Sequence, residues 1–163
     1  MSNKQIILGI DPGLVKTGWG IVSKSGNSIQ YVDCGVIKTN PKDAMESRLV
    51  TIYDSIRDLA ASFKVDIASM EEVFVNTNVK SSEKLIMART AAFLALAKTG
   101  LNVASYRPNE IKKNITGSGH AGKEQVQLMV QKLLNINIQK DKNHTFDSMD
   151  ALAIALCGAF FSN

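Results

Sequence analysis

The sequence predicts an α/β fold, a mixed five-stranded sheet flanked by helices in the order βββαβαβα. Three observations carry that prediction. Three strand-like runs separated by short turns open the chain, at residues 5–10, 17–23 and 28–38. Two more such runs, 65–74 and 101–106, come later and alternate with helical stretches. The helices themselves are marked by apolar residues at helical spacing, by caps and by breakers. A length of 163 residues with 45% hydrophobic and 21% charged side chains suits a single domain with a real core. No internal repeat or linker divides it, so residues 1–163 are read as one unit.

The first run, ILGID, ends in Asp11 and turns at Pro12 and Gly13. A carboxylate at the end of a buried strand is costly unless a metal ion, a base or a row of backbone N–H groups meets it. Asp-Pro-Gly is also good turn chemistry by itself, and this stretch alone leaves both readings open. The second run returns beside the first, and residues 24–27, with Gly26, form a tight turn into the third. Asn40, Pro41 and Asp43 then mark a break and a helix start.

In that helix Leu49, Ile52, Tyr53, Ile56, Leu59, Ala60 and Phe63 repeat as one buried face. The strand 65–74 follows and carries Glu71, Glu72, Val73 and Phe74 at its end. Residues 76–82 are polar and aperiodic, an expected exposed loop. The helix 83–99 is rich in small residues (Ala88, Ala91, Ala92, Ala95, Ala97) and stops at Gly100. Such a face permits close approach inside the core or between subunits. After the strand 101–106, Pro108 opens a short basic helix reaching residue 115. A glycine-rich loop, 117–122, leads into the helix 123–134, whose face is Val126, Met129, Val130, Leu133 and Leu134. A polar loop, 135–145, precedes a last helix from Asp147 to about Phe161.

Asp147 and Asp150 are three apart and share one helical face just ahead of the apolar run ALAIALCGAFF. Acids in a first turn are also ordinary partners of the helix dipole. The combination favours chemistry. Asp11 and Glu71 sit where apolar runs give way to loops, where open α/β sheets place their sites. Four carboxylates from three elements suit Mg²⁺, with Mn²⁺ as a substitute. Such ions can activate water and stabilise the leaving oxygen in phosphodiester cleavage. No Ser/His/Asp or Cys/His arrangement competes.

Cys34 and Cys157 lie far apart without ligand spacing, which predicts free thiols in a reducing cytoplasm. No apolar run reaches bilayer length, and the start MSNKQ precedes a strand without a signal peptide. The net charge of +4 and pI near 9.1 lean mildly toward anionic partners. An acidic pocket within a basic surface suits an enzyme acting on nucleic acid.

The segments GIDPG, TGWG, MEEVFVN, GSGHAGKEQVQ and FDSMDALAIAL resemble, in order and spacing, the RuvC-type Holliday junction resolvases over about residues 6–156. The resemblance implies an RNase H-like fold, Mg²⁺ dependence, a homodimer, and paired symmetric nicks in four-way junction DNA during recombination and repair. It further implies work beside a branch-migration motor of the RuvA–RuvB type. Carried over by motif, the catalytic and metal-binding acids fall on Asp11, Glu71, Asp147 and Asp150. Glu72 is the rival of Glu71. The register acid-x-Val-Phe selects Glu71, and strand alternation turns Glu72 to the opposite face.

Phe74 matches the aromatic used at the junction, and would otherwise be a core residue at a strand end. Lys112 and Lys123 match basic positions near the scissile phosphate, with Lys113 able to share that role; without the family they would be solvated lysines. Asn76, Asn78 and Lys80 are expected phosphate contacts. His120 and His144 read as loop histidines that could approach DNA or the acids. Three other readings stay open. One is a YqgF-type relative acting on ribosomal RNA, which shares the opening motif and lacks the later ones. Another is an ATP-binding domain of the actin and sugar-kinase type, which needs two such domains. The last is a non-catalytic junction-binding protein, against which the four acids count.

Overall fold

A computed structural model describes residues 4–73, 79–138 and 142–162. The elements run β1 (Gln5–Asp11), β2 (Lys16–Ser25), β3 (Ser28–Lys38), α1 (Met45–Ser62), β4 (Ile67–Glu71), α2 (Val79–Lys98), β5 (Val103–Tyr106), α3 (Pro108–Thr116), α4 (Lys123–Leu134) and α5 (Phe146–Phe161). They form one five-stranded sheet in the order β3-β2-β1-β4-β5. The first three strands are antiparallel because short turns join them. Gly26 at φ 57° supplies the left-handed step of the second of these turns. β4 and β5 lie parallel to β1 and to each other, each reached through a helix. This is the predicted mixed sheet, with three helices after β5.

Alternation along β1 sorts its residues between two cores. Ile7 packs with α3, α4 and α5 on one face, whereas Leu8 and Ile10 pack with α1 and α2 on the other. Gly9 and Asp11 share the face of Ile7. α5 is buried from Ala151 to Ala159, which explains an apolar run with no polar side. It lies unusually near the strands. A Cβ on Gly9 would strike the Ala151 carbonyl and the Ala155 backbone, and one on Gly20 would strike Leu152. Gly9 and Gly20 are register partners on β1 and β2, so together they clear a bed for the helix.

Several boundaries differ from expectation. The strand expected over 65–74 is β4, which spans only Ile67–Glu71. Val65 is buried but belongs to a turn, its amide bonded to the Ala60 carbonyl at 3.0 Å after Lys64 at φ 51°. Phe74, at the expected strand end, lies outside the described residues, as do Asn76 and Asn78. α2 begins at Val79, so residues 79–82 of the expected loop are helical and Lys80 is on its exposed first turn. β5 begins at Val103 instead of residue 101. Leu133, assigned to the buried face of α4, is 42% exposed, and Ala97 also faces outward.

Candidate active site

Asp11 ends β1 at the last rung with β2, directly opposite Gly18. The Asp-Pro-Gly turn is held by Thr17, whose hydroxyl donates to the Gly13 carbonyl at 2.7 Å and accepts from the Gly13 amide at 3.3 Å. The turn therefore closes without the Asp11 carboxylate. Glu71 ends β4, two residues beyond Ser69 on the face toward α5. Glu72 falls on the other face, beside Arg89 and 3.5 Å from the exposed Arg107 guanidinium. α5 delivers the remaining acids. Its N-terminus is capped by Thr145, whose hydroxyl accepts from the Ser148 amide while the Ser148 hydroxyl accepts from the Thr145 amide. Asp147 and Asp150 are thus not needed as caps.

Gly18 sets the spacing between these elements. A Cβ there would collide with the carbonyl of Asp147, so a side chain at residue 18 would push the start of α5 away from Asp11. Asp11, Glu71 and Asp150 line one open cleft of about 280 Å³ with Lys112, Lys123, Pro108, Ile111, Val126, Ala153 and Ile154. Asp147 does not line that cleft but is near enough to act on Asp11. Lys123, the first residue of α4, puts its Nζ 3.0 Å from Asp150 Oδ2.

The charges are unbalanced. Burial, and then the neighbouring Glu71, Asp150 and Asp147, push the Asp11 carboxyl up from its ordinary 3.8 to about 8, against the opposing pull of Lys123. Glu71 is raised by burial and by Asp150, while Lys112 and Lys123 act the other way. The hydrogen bond to Asp150 raises Lys123. Hard carboxylate oxygens that repel one another in a partly dry cleft are the donor set a divalent cation suits. Among the described residues no three acidic, histidine or cysteine side chains stand close enough to hold an ion, and Asp150 is paired with Lys123.

Lys112 lines the cleft, whereas Lys113, one residue along α3, is exposed and does not. Lys80 is exposed on α2 and lines no part of the cleft either. His120 is exposed in the glycine-rich loop. The His144 ring meets Tyr31 edge-on, with centroids 5.4 Å apart, and its Nδ1 is 3.0 Å from the Asn137 carbonyl; it belongs to its loop. Sequence reasoning missed the glycines that seat α5 and the apolar wall formed by Ile111, Val126 and Ile154. Glycine inside a strand is the signal that could have found the former, because it weakens the strand unless another backbone comes close.

A family model described as crossover junction endodeoxyribonuclease RuvC matches residues 7–158. The chain is 44% identical over 157 residues to a crossover junction endodeoxyribonuclease RuvC of Ehrlichia canis (strain Jake), covering 96% of this chain and 97% of the relative. It is 46% identical over 153 residues to the protein of that description in Bordetella avium (strain 197N), covering 94% and 82%. Among solved structures, T. thermophilus RuvC in complex with Holliday junction substrate superposes with a TM-score of 0.87 at 31% identity, covering 96% of this chain and 94% of that one. The sheet order and its covering helices are those of an RNase H-like fold.

Proposed function

The chain belongs to the RuvC family of crossover junction endodeoxyribonucleases, and from that premise we propose that it resolves Holliday junctions by paired, symmetric nicks in DNA recombination and repair. One observation carries the proposal. Asp11, Glu71 and Asp150 share a single cleft with Lys112 and Lys123, acids to hold metal beside bases to meet phosphate. The family is metal-dependent, and here Asp11, Glu71, Asp147 and Asp150 would hold Mg²⁺, with Mn²⁺ able to replace it. Bound there, the ion supplies a positive centre that makes water a stronger nucleophile and offsets charge on the phosphate.

The side chains do the rest. Lys123 releases Asp150 to the site and turns its ammonium to the scissile phosphate, where it offsets developing negative charge. Lys112 acts alongside it from α3. The apolar wall of Ile111, Val126 and Ile154 excludes water and so strengthens each of these interactions. Water attacks phosphorus as the bond to the 3′ oxygen breaks, leaving a 3′-hydroxyl and a 5′-phosphate. Lys80 and Lys113 contact the DNA backbone away from the cleft, Asn76 is a further phosphate contact and Phe74 the aromatic that meets the junction, and affinity falls as salt rises.

A junction is pseudo-two-fold symmetric, and two related cuts call for a two-fold homodimer. A groove of about 430 Å³ between α1 and α2, lined by Leu49, Val50, Tyr53, Ile86, Met87 and Leu94, presents the apolar surface that a second copy would cover. The enzyme works in the cytoplasm beside a motor of the RuvA–RuvB type; no described helix is long and apolar enough to cross a membrane.

The test offers the protein a synthetic four-way junction, a linear duplex and an RNA/DNA hybrid, each with and without Mg²⁺. Paired nicks in the junction alone, and only with metal, are expected. Cleavage of the hybrid instead would favour an RNA-directed relative, and tight junction binding without nicks would favour a binding protein.

A further inference from the structure

We propose that Arg89 is the positioning residue for Glu71, clamping the end of β4 so that this carboxylate stands where a metal ion can use it. The inference rests on the nuclease reading of the cleft. Glu71 is the last residue of β4, and the next amide, that of Glu72, donates to the Tyr106 carbonyl on β5 at 2.8 Å. A trans peptide sends its carbonyl the opposite way from its N–H, so the Glu71 carbonyl points back toward the β1 side. The last β1–β4 register pair is Ile10 and Met70, so that oxygen lies past the end of their pairing although β1 itself runs on to Asp11.

Arg89 takes the place of that pairing. From α2 its Nε donates to the Glu71 carbonyl at 3.2 Å, while its Nη2 donates to the Ser105 hydroxyl on β5 at 3.0 Å. One planar fork thus ties together the ends of two strands from the face opposite the cleft. The Phe93 ring, one turn further along α2, lies with its centroid 5.9 Å from the guanidinium carbon. Holding the carbonyl fixes the rotation of the peptide between residues 71 and 72, and with it the direction of the Glu71 side chain on the other face. Glu71 needs such a clamp because Asp150 crowds it with like charge. The other ties at this strand end are the Glu72 amide bond and the 3.5 Å pair between Glu72 and the exposed Arg107.

The test compares the full chain with Arg89→Lys, Ser105→Ala and Glu71→Gln. It reads Mn²⁺ affinity of the metal-free protein by calorimetry, the metal concentration for half-maximal nicking, metal-free junction binding and thermal melting. Lysine keeps the charge but cannot hold both acceptors in a fork. Arg89→Lys should weaken Mn²⁺ binding about tenfold, the usual effect of losing a group behind a metal ligand. The metal titration of nicking should shift by the same factor while junction affinity stays unchanged. Ser105→Ala, which spares the bond to Glu71, should weaken Mn²⁺ binding by less.

Unchanged Mn²⁺ affinity in Arg89→Lys, or a loss confined to melting temperature, would overturn the role assigned to Arg89. Should Arg89→Lys fail to fold, Ser105→Ala decides, and unchanged Mn²⁺ affinity there overturns it equally. Glu71→Gln separates this inference from the reading beneath it. If that variant binds Mn²⁺ as the parent does, the assignment of the metal site fails and takes Arg89 with it. If it loses Mn²⁺ while Arg89→Lys does not, only the Arg89 role fails.

Discussion

On the α5 side of the sheet, glycine and alanine bring backbone against backbone; on the α1–α2 side, large side chains keep the layers apart. Gly9, Gly18 and Gly20 leave no room for a Cβ beneath Asp147, Ala151, Leu152 and Ala155, and Gly158 of α5 returns the contact against Ser69 and Ile7. The opposite face is filled by Leu8, Ile10, Ile21, Ile52, Ile56, Met70 and Leu96. Side chains can repack around an added or lost methylene, but a backbone contact has nothing to yield. The acids of α5 are therefore placed with little slack. The α1–α2 layer covers the sheet with an adaptable cushion and reaches toward the site through two arginines. Buried Arg48 donates to the Leu14 carbonyl in the loop after Asp11, and Arg89 donates to the carbonyl of Glu71.

The comparison fails at once if the acids on the tightly packed side are dispensable. Asp150→Asn should lower Mg²⁺-dependent nicking to below about a thousandth of the parent rate, because it removes a proposed ligand. Junction binding in a gel-shift assay should stay within about twofold. A mutant cutting at the parent rate would remove the metal site from this cleft.

The contrast in packing is tested by Gly18→Ala against Ile52→Val. The added methyl at residue 18 meets the Asp147 carbonyl and should cost about 3 kcal/mol in urea unfolding. It should also slow nicking at least about tenfold through the displaced acid. Ile52→Val, on the cushioned side, should cost about 1 kcal/mol and leave nicking intact. Equal losses from the two would erase the distinction.

The electrostatic difference between the faces is read by pH. Asp11 is raised from 3.8 to about 8 in the folded chain, so without metal the folded state keeps a proton that the unfolded state has released. Below its ordinary value both states are protonated and nothing is lost; between 3.8 and about 8, stability falls as pH rises. Asp11→Asn should remove that slope and stabilise the metal-free protein at pH 8 by at least about 2 kcal/mol, with little gain at pH 4, in denaturant melts across pH. Mg²⁺ should stabilise the parent at pH 8 and not the variant.

The smallest effect on the fold is expected on the outer surface of the cushioned layer. Leu94→Glu, on the exposed face of α2, should turn a dimer into a monomer in sedimentation experiments. The unfolding free energy of the monomer should change by no more than about 0.5 kcal/mol. An unchanged dimer would place the subunit interface elsewhere.

Much of this was legible in the sequence because it is local. Turn residues at 24–27 and hydrophobic alternation carried the hairpins, and the repeat from Leu49 to Phe63 carried α1. The motif register selected Glu71 and strand alternation set Glu72 on the opposite face, and the structure puts Glu72 on the face away from the cleft, beside Arg89. The end of β4 was not legible. Val73 continues an apolar pattern, but a strand lasts only as long as its neighbours pair with it, and pairing with β1 stops at Met70 and with β5 at Glu71.

The sequence by itself determined which residues share a face and which acids lie at the ends of elements, since periods of two and of 3.6 are written into neighbouring positions. Only the tertiary structure decided the distances between residues remote in the chain. Gly18 lies under Asp147, Lys123 pairs with Asp150, and Arg89 reaches the carbonyl of Glu71. Each of these depends on how closely two layers approach, and that closeness is set by the packing of the whole core.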